Sequence, residues 1–168
     1  MDFITGATCI VGRELVSQLI SAGHTVKALY RNNSDVTSVE NLITSRSLSL
    51  DRLIWVEGEL NDSQSLESSL KGCTRVFHVA ALVSFHPLDE ASLLKTNVEG
   101  TKNIVNAMLH KDVKTLVYVS SVAALGRQEN KIVDEETPFE DGIGETAYSR
   151  SKYLAELEVW RGQEEGLS

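Results

Sequence analysis

The chain is predicted to form a doubly wound α/β domain, a parallel sheet of about five strands with helices on both faces. Three observations predict it. Short apolar runs alternate with helix-period segments from Phe3 to Trp160, the pattern of strand–helix–strand units joined by right-handed crossovers. The first junction, Thr5-Gly6-Ala7-Thr8-Cys9-Ile10-Val11-Gly12, is a glycine turn between a strand and a helix. It offers unpaired N–H groups and the positive end of a helix dipole to an anion such as a pyrophosphate. The residues best suited to chemistry also follow strands, where open sheets of this kind bind ligands.

The elements follow in order. Met1 to Ile4 reads as a short first strand, and the next helix runs from about Gly12 to Ala22, stopped by Gly23. Thr25 to Tyr30 is the second strand, and Asn32 to Asp35 is a turn cluster. Residues 36 to 50 are ambiguous: Val39, Leu42 and Ile43 suit a helix, but Ser and Thr are dense. Leu53 to Val56 is the third strand. Asn61-Asp62-Ser63 opens a helix through Leu66 and Leu70 that ends at Gly72. Arg75 to Ala81 is the fourth strand, apolar enough to be buried on both faces. A loop with Pro87 leads to a long helix from about Glu90 to Leu109, and Thr115 to Ser120 is the fifth strand. The polar stretch Arg127 to Glu145 has no strong period. A last helix starts near Thr146, with Gly162 and Gly166 punctuating its end.

Bulk properties exclude several classes. The 168 residues suit one domain with a sizeable core, and 42% hydrophobic with 24% charged residues is ordinary globular composition. A net charge of −8 without a basic block argues against a nucleic-acid or anionic-membrane partner. No apolar run approaches the roughly 18 residues that span a bilayer, and no signal is expected where a strand begins almost at Met1. Two cysteines, Cys9 and Cys73, make no disulfide framework, so a reducing cytoplasm fits best. No Cys/His/Asp cluster has metal-ligand spacing. His78, inside a buried strand, reads as a satisfied core histidine, and His86 lies in a loop within reach of a substrate.

These motifs together resemble the extended short-chain dehydrogenase/reductase family, which includes nucleotide-sugar epimerases and dihydroflavonol reductases. Thr5 to Gly12 is similar to its TGxxGxxG turn, with Cys9 where the middle glycine is expected. Val79-Ala80-Ala81, Asn97-Val98-Glu99-Gly100-Thr101, Ser120-Ser121 with Gly126, and Tyr148-Ser149-Arg150-Ser151-Lys152 resemble its later motifs in order. The segment Val119 to Gly126 is more like the dihydroflavonol-reductase subgroup than the epimerases. The resemblance implies a Rossmann domain over residues 1–168, incomplete at its C-terminus. Family members continue for about as long again, adding two strands and most of the substrate domain.

The resemblance implies a site. Tyr148 and Lys152 share a helix face. A free tyrosine has a pKa near 10, and a nearby ammonium favours the phenolate. The phenol then exchanges a proton with a carbonyl or alcohol oxygen while hydride passes to or from nicotinamide. Ser121 is expected to hydrogen-bond the reacting oxygen, with Ser120 as the alternative. Cofactor contacts are expected from Gly6, Thr8, Cys9, Ile10, Gly12, Arg31, Glu59, Leu60, Ala80, Ala81, Asn97, Ser120, Tyr148 and Lys152. Asn97 reads equally as a locally satisfied helix residue. Arg31, where a carboxylate would bind the NAD ribose, favours NADP over NAD. The expected activity is an NAD(P)(H)-dependent oxidoreductase acting on a ketone or secondary alcohol. A nucleotide-sugar epimerase/dehydratase, a non-catalytic dinucleotide-binding module and an interaction protein using the sheet edge are the alternatives. Expected partners are a small-molecule substrate and, as a possible assembly, a homodimer.

Overall fold

A computed structural model describes residues 1–126, 132–139 and 145–168. Strands β1 (Asp2–Thr5), β2 (Val26–Tyr30), β3 (Leu53–Glu57), β4 (Arg75–His78) and β5 (Thr115–Tyr118) form one sheet in the order β3-β2-β1-β4-β5, all parallel. The order reverses between β1 and β4, so their carboxyl ends flank the switch point.

Alternation along β1 divides the core. Phe3 points into a cluster with Leu66, Leu70, Val76, Ile104, Val105 and Met108. Ile4 points the other way, to Val16, Ile20, Val26, Ala28, Val39 and Ile43. Helices α1 (Ile10–Ser21) and α2 (Val36–Ser45) supply the second cluster. Helix α3 (Ser63–Ser69) and a long helix supply the first. The long helix is α4 (Glu90–Leu93), a π-helical segment (Leu94–Glu99) and α5 (Gly100–His110) without a break. Helix α6 (Ala147–Glu164) packs along it.

Local chemistry sets the helix starts. Asp35 caps α2 through the Ser38 N–H at 3.1 Å, and Asp62 caps α3 through the Ser65 N–H at 3.0 Å. Thr146 and Ser149 cap α6 reciprocally, at 3.0 and 2.8 Å. The ambiguous stretch after Asp35 is helical because Val39 and Ile43 find full burial against the sheet, which outweighs its Ser/Thr content.

Three expectations are corrected. The β4 ladder ends at His78 rather than Ala81, because Val79 to Ala81 turn toward the glycine loop. Its burial is one-sided: Val76 and His78 are buried, while Phe77 is half-buried under the Arg75 guanidinium, 5.0 Å from its ring centroid. The register partner of Phe77, Val117 on β5, is 42% exposed. Gly162 lies inside α6, where Val105 packs onto it, and only Gly166 follows the helix. Part of the polar stretch 127–145 falls outside the described residues.

The outer edge of β5 is partly occupied. The Ser168 N–H donates to the Lys114 carbonyl at 2.7 Å, and the Leu116 N–H donates to the Ser168 carbonyl at 2.8 Å. Leu167 is buried in the first core cluster.

Candidate functional site

The site is built from the loop after β1. Gly6 has φ +71°, and a Cβ there would lie 2.6 Å from the Ala80 nitrogen. Glycine is therefore required for the loop to close against the chain leaving β4. A Cβ on Gly12 would overlap the Gly6 carbonyl oxygen. Cys9 is different. Its φ of −76° suits any residue, so the backbone there needs no glycine. Its sulfur accepts the Gly12 N–H at 3.2 Å and so acts as the N-cap of α1. The Ile10 and Val11 N–H groups of the first turn have no intrahelical partner. Their side chains are 77% and 54% exposed. Thr8 is half-buried beside them.

Beneath the loop runs a buried chain of hydrogen bonds with one consistent direction. The Ala80 N–H donates to Thr5 Oγ1 at 3.2 Å, and that hydroxyl meets His78 Nδ1 at 2.6 Å. His78 Nε2 lies 3.0 Å from Thr101 Oγ1, which donates to the Asn97 carbonyl at 2.6 Å. Thr101 has spent its proton, so Nε2 carries the imidazole proton and Nδ1 accepts from Thr5. Burial, and then the Lys152 charge, lowers the His78 pKa to about 3, so the ring is neutral. Four segments are tied by a core histidine, as its sequence context suggested.

Asn97 sits in the π-helical segment and is fully used. Its Oδ1 accepts the Leu82 N–H at 2.7 Å, and its Nδ2 donates to the Leu82 carbonyl at 3.0 Å and to Ser151 Oγ at 2.9 Å. Ser151 donates in turn to the Tyr148 carbonyl at 2.8 Å. Asn97 thus joins the segment after β4 to the helix bearing Tyr148 and Lys152. Ala80 and Ala81 start that segment, half-buried and exposed respectively.

Just past the end of β5, Ser120 Oγ is buried with no hydrogen-bond partner among the described residues. Ser121 Oγ accepts the Ala123 N–H at 3.1 Å, opening the turn Val122–Ala124 and leaving its own proton to donate. A Cβ on Gly126 would overlap the Pro138 carbonyl oxygen, so residues 132–139 return directly over it. Lys152 is 1% exposed and donates to the Tyr118 hydroxyl at 2.8 Å and to the Val119 carbonyl at 3.0 Å. Burial lowers its pKa to about 8, opposed by Glu156. Tyr148 is half-buried with its ring edge-on to Phe85, centroids 5.7 Å apart.

Sequence reasoning missed Tyr118, Thr101 and Ser151. The available signal was spacing: Tyr118 stands two residues before Ser120, and Ser151 directly precedes Lys152.

Arg31 follows β2, exposed and with no side-chain partner among the described residues. Glu59 is exposed, whereas the Leu60 side chain packs against Gly100. Among the described residues no three His, Cys, Asp or Glu groups could hold a metal ion, and no helix is long and apolar enough to cross a membrane. The residues present fit a dinucleotide: free N–H groups at a helix start, a guanidinium after the neighbouring strand with no partner among the described residues, and a buried hydroxyl after β5 that is likewise unpartnered among them.

A model of the 3-beta hydroxysteroid dehydrogenase/isomerase family matches residues 3–167. The chain belongs to that family. Another member-like relative, a Synechocystis sp. protein with the provisional name dihydroflavonol 4-reductase, is 38% identical over 167 residues, 98% of this chain and 45% of its own. The crystal structure of gox2253 superposes with a TM-score of 0.81 at 36% identity, covering 96% of this chain and 46% of the other. A short-chain dehydrogenase/reductase superfamily protein from Agrobacterium tumefaciens, solved with bound NAD, gives 0.77 at 27% identity, covering 99% and 46%. The chain spans about half the length of the curated relatives it matches. Family membership accounts for the order of the motifs, and the dihydroflavonol reductases among the relatives agree with the Val119 to Gly126 resemblance.

Proposed function

We propose that the chain contributes the dinucleotide site and proton-transfer residues of an NAD(P)(H)-dependent oxidoreductase that interconverts a ketone and a secondary alcohol. One observation carries this reading: the buried Lys152, one helical turn from Tyr148, is held at the end of β5, whose neighbour β4 pairs in turn with β1 and its glycine loop. Gly6, Thr8, Cys9, Ile10 and Gly12 would hold the pyrophosphate, Arg31 a 2′-phosphate, and Glu59 with Leu60 the adenine. Ala80, Ala81, Asn97, Ser120 and Lys152 would bound the nicotinamide end. A bound nicotinamide supplies or accepts the hydride. Ser121 donates its free proton to the reacting oxygen, Tyr148 exchanges a proton with it, and Lys152 keeps positive charge beside them.

The relative solved with NAD supports a nicotinamide dinucleotide, and Arg31 favours NADP. The same residues serve an epimerase or dehydratase, but the dihydroflavonol reductase relatives favour a reductase. Titration of the chain with NADPH and NADH, followed by nucleotide fluorescence, should show saturable binding, tighter for NADPH. Absence of saturable binding removes the reading for this chain. In a full-length relative carrying this segment, Tyr148→Phe should nearly abolish turnover while cofactor affinity stays within about twofold, since the phenol acts on the transition state.

A further inference from the structure

We propose that Tyr118 is a positioning residue for Lys152, its phenol oxygen holding the buried ammonium at the carboxyl end of β5. The proposal rests on the role given to Lys152 above.

The two residues come from distant elements. Tyr118 is the last residue of β5 and pairs in register with His78 of β4. Lys152 reaches it from α6, with Nζ 2.8 Å from the phenol oxygen and 4.4 Å from the ring centroid. The ring also packs against His78, 5.7 Å between centroids. Among the described residues the other contact with the ammonium is the Val119 carbonyl, one residue past β5. An ammonium has three N–H donors, so two are taken by Tyr118 and Val119 and the third has no partner among the described residues.

The groups that act on this cation are few. His78 on β4 is neutral. Tyr118 is kept protonated by burial, against the pull of Thr101 and with Glu156 and Tyr148 adding to the effect. Glu156 on α6 favours the charged lysine. No carboxylate forms an ion pair with Lys152 among the described residues. The buried charge is therefore met by a neutral phenol oxygen, a carbonyl and an aromatic face. A phenylalanine at position 118 would keep the ring contact and lose the oxygen. That separates positioning from packing.

The hydroxyl does two things for Lys152. It stabilises the protonated form in a site that disfavours it, and it holds the ammonium at the end of β5 together with the Val119 carbonyl.

The test is a pH titration of the chain without any cofactor. The Lys152 13Cε shift is followed in wild type and in Tyr118→Phe, its signal assigned by its loss in Lys152→Met. Tyr118→Phe should lower the Lys152 midpoint by about one pH unit, as expected for losing an acceptor to a charged donor. An unchanged midpoint in a folded variant overturns the proposal. In the unaltered chain, Tyr118 13Cζ should shift with the same midpoint as Lys152, and absence of that shared titration also overturns it. Neither readout involves a dinucleotide. Loss of NADPH binding would therefore sink the functional reading while leaving this inference standing.

Discussion

Lys152 is the residue on which stability and function pull apart. Its pKa is lowered from 10.5 to about 8. Between those values the unfolded chain binds a proton that the folded chain has released, so this residue's contribution to stability rises with pH across that window. Below pH 8 the folded state carries the penalty in full. The shift corresponds to roughly 3 kcal/mol, and hydrogen bonds from a charged donor, worth about 1.5–3 kcal/mol each, offset it through Tyr118 and Val119. Lys152→Met removes the penalty and the bonds together, so what it isolates is the pH dependence. Relative to that variant, the wild-type chain should gain about 2 kcal/mol of stability between pH 7 and pH 9.5. Urea unfolding at both pH values measures it, and a difference that does not change with pH contradicts it. Cys9 poses the opposite question. The residue caps α1 with its sulfur and has ordinary backbone angles. Cys9→Ser supplies a better capping atom and should raise stability by a few tenths of a kcal/mol. Cys9→Gly loses the cap and adds unfolded-state freedom, costing about 0.5–1 kcal/mol. It also clears the Cβ and sulfur from the loop, so NADPH should bind it more tightly. Equal dissociation constants would show that the loop tolerates cysteine.

Among the elements, the long helix shows how the site is assembled. Its π-helical turn presents Asn97 to Leu82 on one side and Ser151 on the other. Asn97→Leu would leave both Leu82 backbone groups unpaired, and a buried unmet group costs about 1–3 kcal/mol. The variant should lose stability on that order, and the Leu82 amide should exchange hydrogen faster than in wild type. Unchanged exchange at Leu82 would mean that water replaces the amide. Such a joint is hard to read from sequence. The helices and strands themselves were legible, because Val16, Ile20, Ile104, Val105 and Met108 recur at helical spacing and Asp62 and Thr146 carry capping chemistry. Residues 36–45 were not, since local preference was divided and burial of Val39 and Ile43 decided it. Tyr148, Lys152 and Ser121 were legible as motif residues. Tyr118 was not: inside an apolar run it reads as a strand residue, and only the register that sets it opposite His78 turns it toward Lys152.

For the whole molecule, the uneven covering of the sheet has a consequence. Odd residues of β5 bond inward, as the Val119 N–H does to the His78 carbonyl at 3.1 Å, so even residues face the outer edge. Leu116 there is taken by Ser168, whereas the Tyr118 and Ser120 N–H groups further along the same edge have no partner among the described residues. Val117 and Val119 are 42% and 38% exposed beside that edge. Unpaired strand groups flanked by apolar side chains invite pairing with another chain. The net charge of −8 opposes close approach, but charges beyond about 8 Å are screened at physiological salt. Edge pairing is therefore expected to win as salt rises. The 168-residue chain should associate with increasing concentration in sedimentation velocity, more at 0.5 M than at 0.05 M salt. Val117→Lys with Val119→Lys places charge beside the edge, the device by which natural sheets avoid such contacts, and should keep the chain monomeric in both. Wild-type chain that stays monomeric at about 100 µM in high salt would show that Ser168 and the start of the edge are protection enough.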